Sequence, residues 1–187
     1  SYEQALSRAL IKVDEDKVAS SWKDSLVSGR FKSNISEYLQ VPKKDCFIDR
    51  RKMEIINRDF TIHQIWSIGG ETGWYYGDWL WGLRGFIDKL YGGVGSRRGR
   101  TNKHDIHAGD ALDFWRVLYA NKEEGKLILF AEMKLPGEAW LEFKIIGNTL
   151  YQSATFRPRG IWGKLYWYSV LPFHGFIFKG MLTKLIK

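Results

Sequence analysis

The residues best suited to chemistry in this 187-residue chain are few and scattered. His104-Asp105-Ile106-His107 places two imidazoles three residues apart. No convincing third ligand or helical context accompanies them, and Cys46 is the only cysteine, so neither a metal site nor a thiolate cluster is assigned. His174, close behind Pro172, is a candidate general base facing the pocket, with a core or boundary histidine as the competing reading. Asp113 and Gln152 are the two polar residues on an otherwise apolar predicted wall, where each is suited to orient a ligand. The competing reading has each satisfied by backbone or a neighbour. Glu132 and Glu142 lie close together, but beside Arg116 and Lys144, which reads as cross-strand charge pairing. Arg97, Arg98 and Arg100, with Lys103 and His104, sit in a glycine-rich run. Guanidinium forks match phosphate and carboxylate, so these arginines are a candidate anion site, with a solvated loop as the alternative. No Ser–His–Asp order, paired-carboxylate spacing or Cys–His nucleophile stands out.

The elements that must position these groups are clearest from Ala111 onward. Four alternating segments, Ala111–Ala120, Lys126–Lys134, Glu138–Ile146 and Thr149–Arg157, are joined by short turn-forming runs, including Pro136-Gly137 and Gly147-Asn148. Pairing Leu129 with Phe143, Ala131 with Leu141 and Ile145 with Leu150 satisfies the last two turns. One face then collects Asp113, Trp115, Val117, Tyr119, Leu127, Leu129, Ala131, Met133, Leu141, Phe143 and Ile145. The fourth strand adds Leu150, Gln152, Ala154 and Phe156 to that face. The other carries Arg116, Glu132, Lys134, Glu138, Glu142, Lys144 and Arg157, so a one-residue slip would bury charge. Ile161–Lys187 reads as a helix, bent or broken at Pro172, and apolar almost all round. The spacing predicts a curved antiparallel sheet gripping this helix. Trp115, Tyr119, Leu129, Met133, Phe143, Phe156 and Tyr168 are its candidate cavity-lining residues, together with Asp113 and Gln152.

Upstream, Asp78–Tyr91 is predicted as a helix capped by Asp78. Its apolar stripe is Leu80, Leu83, Phe86, Ile87 and Leu90, with Arg84 and Asp88 on the opposite face. Cys46–Ile56 reads as a strand, and Phe60–Ile68 fits strand or short helix equally. Tyr2–Val13 is a short amphipathic helix and Val18–Trp22 a short strand. Residues 1–45 are read as an N-terminal segment plus connector, and 46–187 as the main domain. Aromatic residues make up 16% of the chain and fall on buried parity rather than beside the arginines, which argues against nucleic acid despite a net charge of +8. No 18-residue uncharged apolar run and no signal peptide is visible, so a cytoplasmic setting is expected. The start at Ser1, on what reads as a helix, suggests a piece of a longer protein.

Several runs resemble an uncharacterised bacterial domain family. They are Gly92-Gly93-Val94-Gly95-Ser96-Arg97-Arg98-Gly99-Arg100, Asp113-Phe114-Trp115-Arg116-Val117, Ala131-Glu132-Met133-Lys134-Leu135-Pro136-Gly137, Phe156-Arg157-Pro158-Arg159-Gly160 and Tyr166-Trp167-Tyr168-Ser169-Val170-Leu171-Pro172-Phe173-His174. That family occurs fused behind an NmrA-like, NAD(P)-binding module of the atypical short-chain dehydrogenase type. The resemblance covers about Cys46 to Lys187. It implies an α+β fold similar to the helix-grip superfamily of START lipid-transfer domains, polyketide cyclases and birch-pollen allergens (SRPBCC), and brings no catalytic residues with it. Tyr2-Glu3-Gln4-Ala5-Leu6 through Ser20-Ser21-Trp22 resembles the tail of the dehydrogenase-like module. Gly92–Gly95 follows a helix rather than a strand, the wrong context for a dinucleotide turn. No cofactor is therefore assigned to this chain, and NAD(P) would belong to the upstream module.

Three functional readings result. The leading one is a domain that binds a small hydrophobic or lipid-like molecule, accessory to the upstream oxidoreductase-like module. The second is a cyclase- or hydratase-type enzyme using Asp113, His174 or Tyr119, which requires two of these to converge. The third is an interaction domain that packs its outer sheet face and Trp140 against that module or against a second copy.

Overall fold

Phe47–Glu54 (β1) alternates half-buried and exposed residues along its whole length, the signature of a strand with one wet face. The computed structural model describes residues 41–90, 99–100 and 105–187. The expected helix over 2–13 and strand over 18–22 lie outside these. After β1 come α1 (Arg58–Trp66), α2 (Asp78–Leu90), β2 (Ala111–Leu112), β3 (Trp115–Asn121), β4 (Lys126–Ala131), β5 (Gly137–Ile146), β6 (Thr149–Pro158) and α3 (Gly160–Ile186). The strands form one antiparallel sheet in the order β1-β6-β5-β4-β3-β2, and α3 packs on β6 and β1. The α+β, helix-grip-like architecture expected from the alternating segments is present, with β1 added at one edge.

Local chemistry settles the ambiguous run before the glycines. Asn57 accepts a hydrogen bond from the Phe60 N–H at 3.0 Å, an N-cap that commits Arg58–Trp66 to helix. Asp78 does not act as the expected cap. It is the first residue of α2, and its carboxylate accepts from the Trp74 N–H at 2.7 Å, tying the preceding loop to the helix.

The sheet departs from its predicted register in two places. Leu129 stands opposite Leu141 and Leu127 opposite Phe143, two residues away from the expected pairing. The strand β4 stops at Ala131, so the connection to β5 is longer than the Pro-Gly turn alone. An even shift leaves every side chain on its predicted face, whereas Ile145 pairs with Leu150 as expected. The second departure changes faces. A bulge between Val117 and Tyr119 pairs Tyr119 with Ile128 and turns it outward. The predicted first segment is also broken, because Asp113 adopts φ 53° at the corner between β2 and β3.

The core lies between the sheet's inner face and α3. Leu127, Leu129, Phe143 and Leu150 from the sheet meet Met181, Leu182 and Leu185 from the second half of α3, all essentially inaccessible. The outer face is not uniformly charged. Leu118, Ile128, Phe130 and Trp140 form a second buried cluster there, with Val41 and Tyr119 against it. Beside that cluster Arg116 makes a two-pronged ion pair with Glu132 (3.0 and 3.1 Å), and Arg157 pairs with Glu138.

Helix α3 runs through Pro172 without a break in its assignment. Two glycines let it seat closely. A Cβ on Gly163 would strike the Pro136 carbonyl and lie 2.7 Å from Pro158 Cβ, and one on Gly180 would strike the Tyr76 ring. Trp162, Leu165, Tyr168, Phe173 and Phe176 remain exposed on this helix, and α2 exposes Trp79, Leu83, Phe86 and Leu90. Of the apolar stripe expected to bury α2, Leu80 faces inward together with Trp81 and Arg84, whereas Phe86 and Leu90 are exposed. Among the described residues no helix is long and apolar enough to cross a membrane.

Candidate functional site

The inner face of the sheet has a filled half and an open half. Large side chains fill it beneath the end of α3. Nearer the start of α3 the sheet presents Ala131 from β4, Ala139 from β5 and Ala154 from β6, and three methyl groups cannot reach the helix above. The result is a recess of about 250 Å³. It is roofed by Trp167, Val170, Phe173, His174 and Ile177 of α3, and walled by Leu80, Trp81, Leu83 and Arg84 of α2. Among the described residues no Asp or Glu lines it.

Of the nine predicted lining residues, Trp115, Met133 and Phe156 border the recess. Leu129 and Phe143 are in the filled half of the core. Tyr168 is 61% exposed and does not border the recess, its ring meeting Phe47 edge-on. Tyr119 is on the outer face, where its hydroxyl donates to Glu124 at 2.8 Å and Lys126 lies over its ring. Gln152 is 1% exposed on the inner face, and neither its amide oxygen nor its nitrogen has a partner among the described residues. It does not border the recess.

Asp113 has a structural task away from the recess. Its carboxylate accepts from the Trp74 indole N–H at 2.9 Å and from the Gly70 N–H at 3.3 Å. Burial holds its carboxyl above the usual value, opposed by these donors. Arg100 is similarly engaged. Its guanidinium donates to the carbonyls of Trp66 (2.9 Å), Ile68 (3.1 Å) and Asp105 (3.3 Å), closing the end of α1. Arg97 and Arg98 lie outside the described residues, as does His104. His107 is largely exposed, within 3.7 Å of Asp110 and 3.9 Å of Asp105, and no group of three or more metal-binding side chains occurs among the described residues.

His174 does reach the recess. Its ring stands edge-on to Trp167, with centroids 5.1 Å apart, and tilted against Phe178 at 4.7 Å. Burial lowers its pKa to about 4; Asp49 pulls upward and Arg51 pushes downward. It is therefore a neutral imidazole at physiological pH. Of Asp113, His174 and Tyr119, only His174 borders the recess, so the three do not converge on one reacting point.

Residues that the sequence reading passed over complete the site. Trp81 and Arg84, one turn apart on α2, form the wall opposite α3. The Arg84 guanidinium lies 5.6 Å from the Tyr166 ring centroid and donates to the Lys134 carbonyl at 3.5 Å. Tyr166 is half-buried, and desolvation raises its hydroxyl pKa against the opposing pull of Arg84. The available signal was the spacing of Trp81 and Arg84 beside Leu80, outweighed by the rest of the apolar stripe. Asp49 and Arg51 alternate on the inner side of β1, where Arg51 pairs with Asp49 at 3.1 Å and reaches the Gly175 carbonyl of α3.

A curved antiparallel sheet holding a long terminal helix over a mostly apolar recess defines a helix-grip-like domain. The chain belongs to the family described as Protein of unknown function (DUF2867), whose pattern matches residues 43–181. Comparison with curated proteins found no match. Comparison with solved structures found none either.

Proposed function

We propose that this domain binds a small apolar molecule in the recess between the alanine patch of the sheet and the first half of α3. The observation that carries the reading is the coincidence of Ala131, Ala139 and Ala154 beneath aromatic roof residues, where the rest of the same face is densely filled. Protein interiors are ordinarily close-packed, so unfilled apolar volume of this size invites an occupant. A cavity of about 150 Å³ takes a benzene ring, so this recess suits a bicyclic ring or a chain of roughly ten carbons. Resemblance to domains fused behind NmrA-like modules supports a role accessory to an NAD(P)-dependent oxidoreductase-like part of the same polypeptide. Native mass spectrometry of the purified chain tests the binding. A small molecule should accompany the wild type, and Ala154→Phe, which fills the recess, should abolish it. Identical spectra for two folded proteins would refute the reading.

A second reading, as an interaction domain, draws on the exposed Trp79, Phe86 and Leu90 of α2 and Trp162 of α3. Trp140 itself is buried and offers no contact to a partner. Light scattering decides whether copies self-associate, and a monomer at high concentration would remove the homodimer version.

A further inference from the structure

Two helices expose apolar stripes beside the recess. On α2, Trp79, Leu83, Phe86 and Leu90 recur at spacings of four, three and four residues, which is one helical face, and none is less than 47% exposed. On α3, Trp162, Leu165, Tyr168, Phe173 and Phe176 fall within an arc of about 140° at the helical repeat, and none is less than 51% exposed. The stripes adjoin, because Leu83 and Phe173 both border the recess. The Tyr76 ring, just before α2, also meets Phe176 edge-on at 5.0 Å. Adjoining exposed apolar residues on this scale mark an interaction surface.

The charge on α3 has one sign. The sequence from Gly160 to Lys187 contains Lys164, Lys179, Lys184 and Lys187 and no Asp or Glu. Lys164 and Lys179 are exposed at the stripe, the first one turn before Tyr168 and the second one turn beyond Phe176. Helix α2 is balanced, with Asp78 and Asp88 against Arg84 and Lys89. Hydrogen-bonding groups are sparse on the α3 stripe, where the Ser169 hydroxyl already donates to the Tyr166 carbonyl at 2.7 Å.

We infer that this face docks on an anionic lipid bilayer, with α2 and α3 lying in its surface. The inference rests on the interaction-domain reading and names the partner's chemistry. Interfacial helices present Trp, Phe and Leu to the acyl boundary and lysines to the headgroups. No described helix is long and apolar enough to cross, so the contact is with the surface. A second copy fits less well, because it brings the same lysines to the same face and α3 has no carboxylate to meet them. A fixed protein interface carries about one hydrogen bond per 100–200 Å², which so apolar a stripe does not supply, whereas mobile headgroups require no such pattern.

The test is co-sedimentation of the whole chain with vesicles of phosphatidylcholine alone and of phosphatidylcholine with about one-third phosphatidylglycerol, at about 0.1 M salt. The chain should bind the anionic vesicles about tenfold or more tighter than the neutral ones, and lose that margin at about 0.5 M salt. The double variant Phe86→Ser with Trp162→Ser should weaken binding to both by about tenfold or more, with an unchanged circular dichroism spectrum because both side chains are exposed. Lys164→Gln with Lys179→Gln should remove only the preference for anionic vesicles. Equal binding to the two vesicle types, or binding unchanged by the Phe86 and Trp162 substitutions, would overturn the lipid assignment. A chain that ignores both vesicles yet self-associates in light scattering would overturn it too, and leave the interaction-domain reading standing with a second copy as partner. A monomer that ignores both vesicles would overturn both.

Discussion

Nδ1 of His174 stands 3.8 Å from Oδ2 of Asp49, where α3 crosses β1, yet the imidazole stays neutral. Desolvation beneath the helix outweighs the carboxylate, which is itself shared with Arg51. The pH dependence follows directly. Its folded pKa of about 4 lies below the ordinary histidine value of 6.5, so on acidification the unfolded chain takes up the proton first. Stability should be independent of this group above about pH 7 and fall by about 3 kcal/mol as pH drops from 6.5 toward 4. Urea unfolding at pH 7.5 and 4.5 measures the drop. His174→Leu should flatten that part of the profile.

Asp113 fastens the Trp74 loop to the β2–β3 corner. Asp113→Ala should cost about 1–3 kcal/mol, because it strands the buried indole N–H and leaves a non-glycine residue at φ 53°. Asp113→Asn should cost less, since its amide oxygen still accepts and asparagine tolerates that backbone. Near-UV circular dichroism and urea midpoints of the two variants should rank in that order.

Two glycines of α3 predict opposite signs for the same substitution. Gly163→Ala drives a methyl group into the Pro136 carbonyl and Pro158, and should destabilise by about 1–3 kcal/mol. Gly175→Ala meets nothing within 4 Å and should stabilise by up to about 1 kcal/mol through helix propensity. Thermal midpoints of the two single variants would show the contrast.

Arg116 is 4% exposed and its charge is held by Glu132 together with the Gly109 carbonyl. Glu132→Ala should cost about 3–5 kcal/mol by leaving a buried guanidinium without its counter-ion. Recovery of most of that stability in the double variant Glu132→Ala with Arg116→Met would identify the stranded charge as the cause.

Strand parity made most of the sheet legible before any coordinates, because period-two alternation fixes faces even when the register is off by two. It failed at Tyr119, since one bulge residue, Leu118, inverts everything beyond it and has no marker in the sequence. Asp113 was visible as a polar exception and Arg100 as part of an arginine cluster, but their partners are distant in sequence: the indole of Trp74 and the carbonyls at the end of α1. Helix α2 misled for a physical reason. Leu80 of the expected stripe does face the core, but Phe86 and Leu90 remain exposed while Arg84, expected on the opposite face, borders the recess. The recess itself follows from the absence of bulk at Ala131, Ala139 and Ala154, which only the observed register brings together.

The most direct test of the recess is nuclear magnetic resonance of the tryptophan indole N–H groups during titration with 1-naphthol, a neutral probe of about the right size. The Trp81, Trp115 and Trp167 resonances, assigned by single Trp→Phe variants, should shift together and saturate, while those of the exposed Trp79 and Trp162 stay in place. Shifts confined to Trp79 and Trp162, or no saturable shift, would contradict binding in the recess.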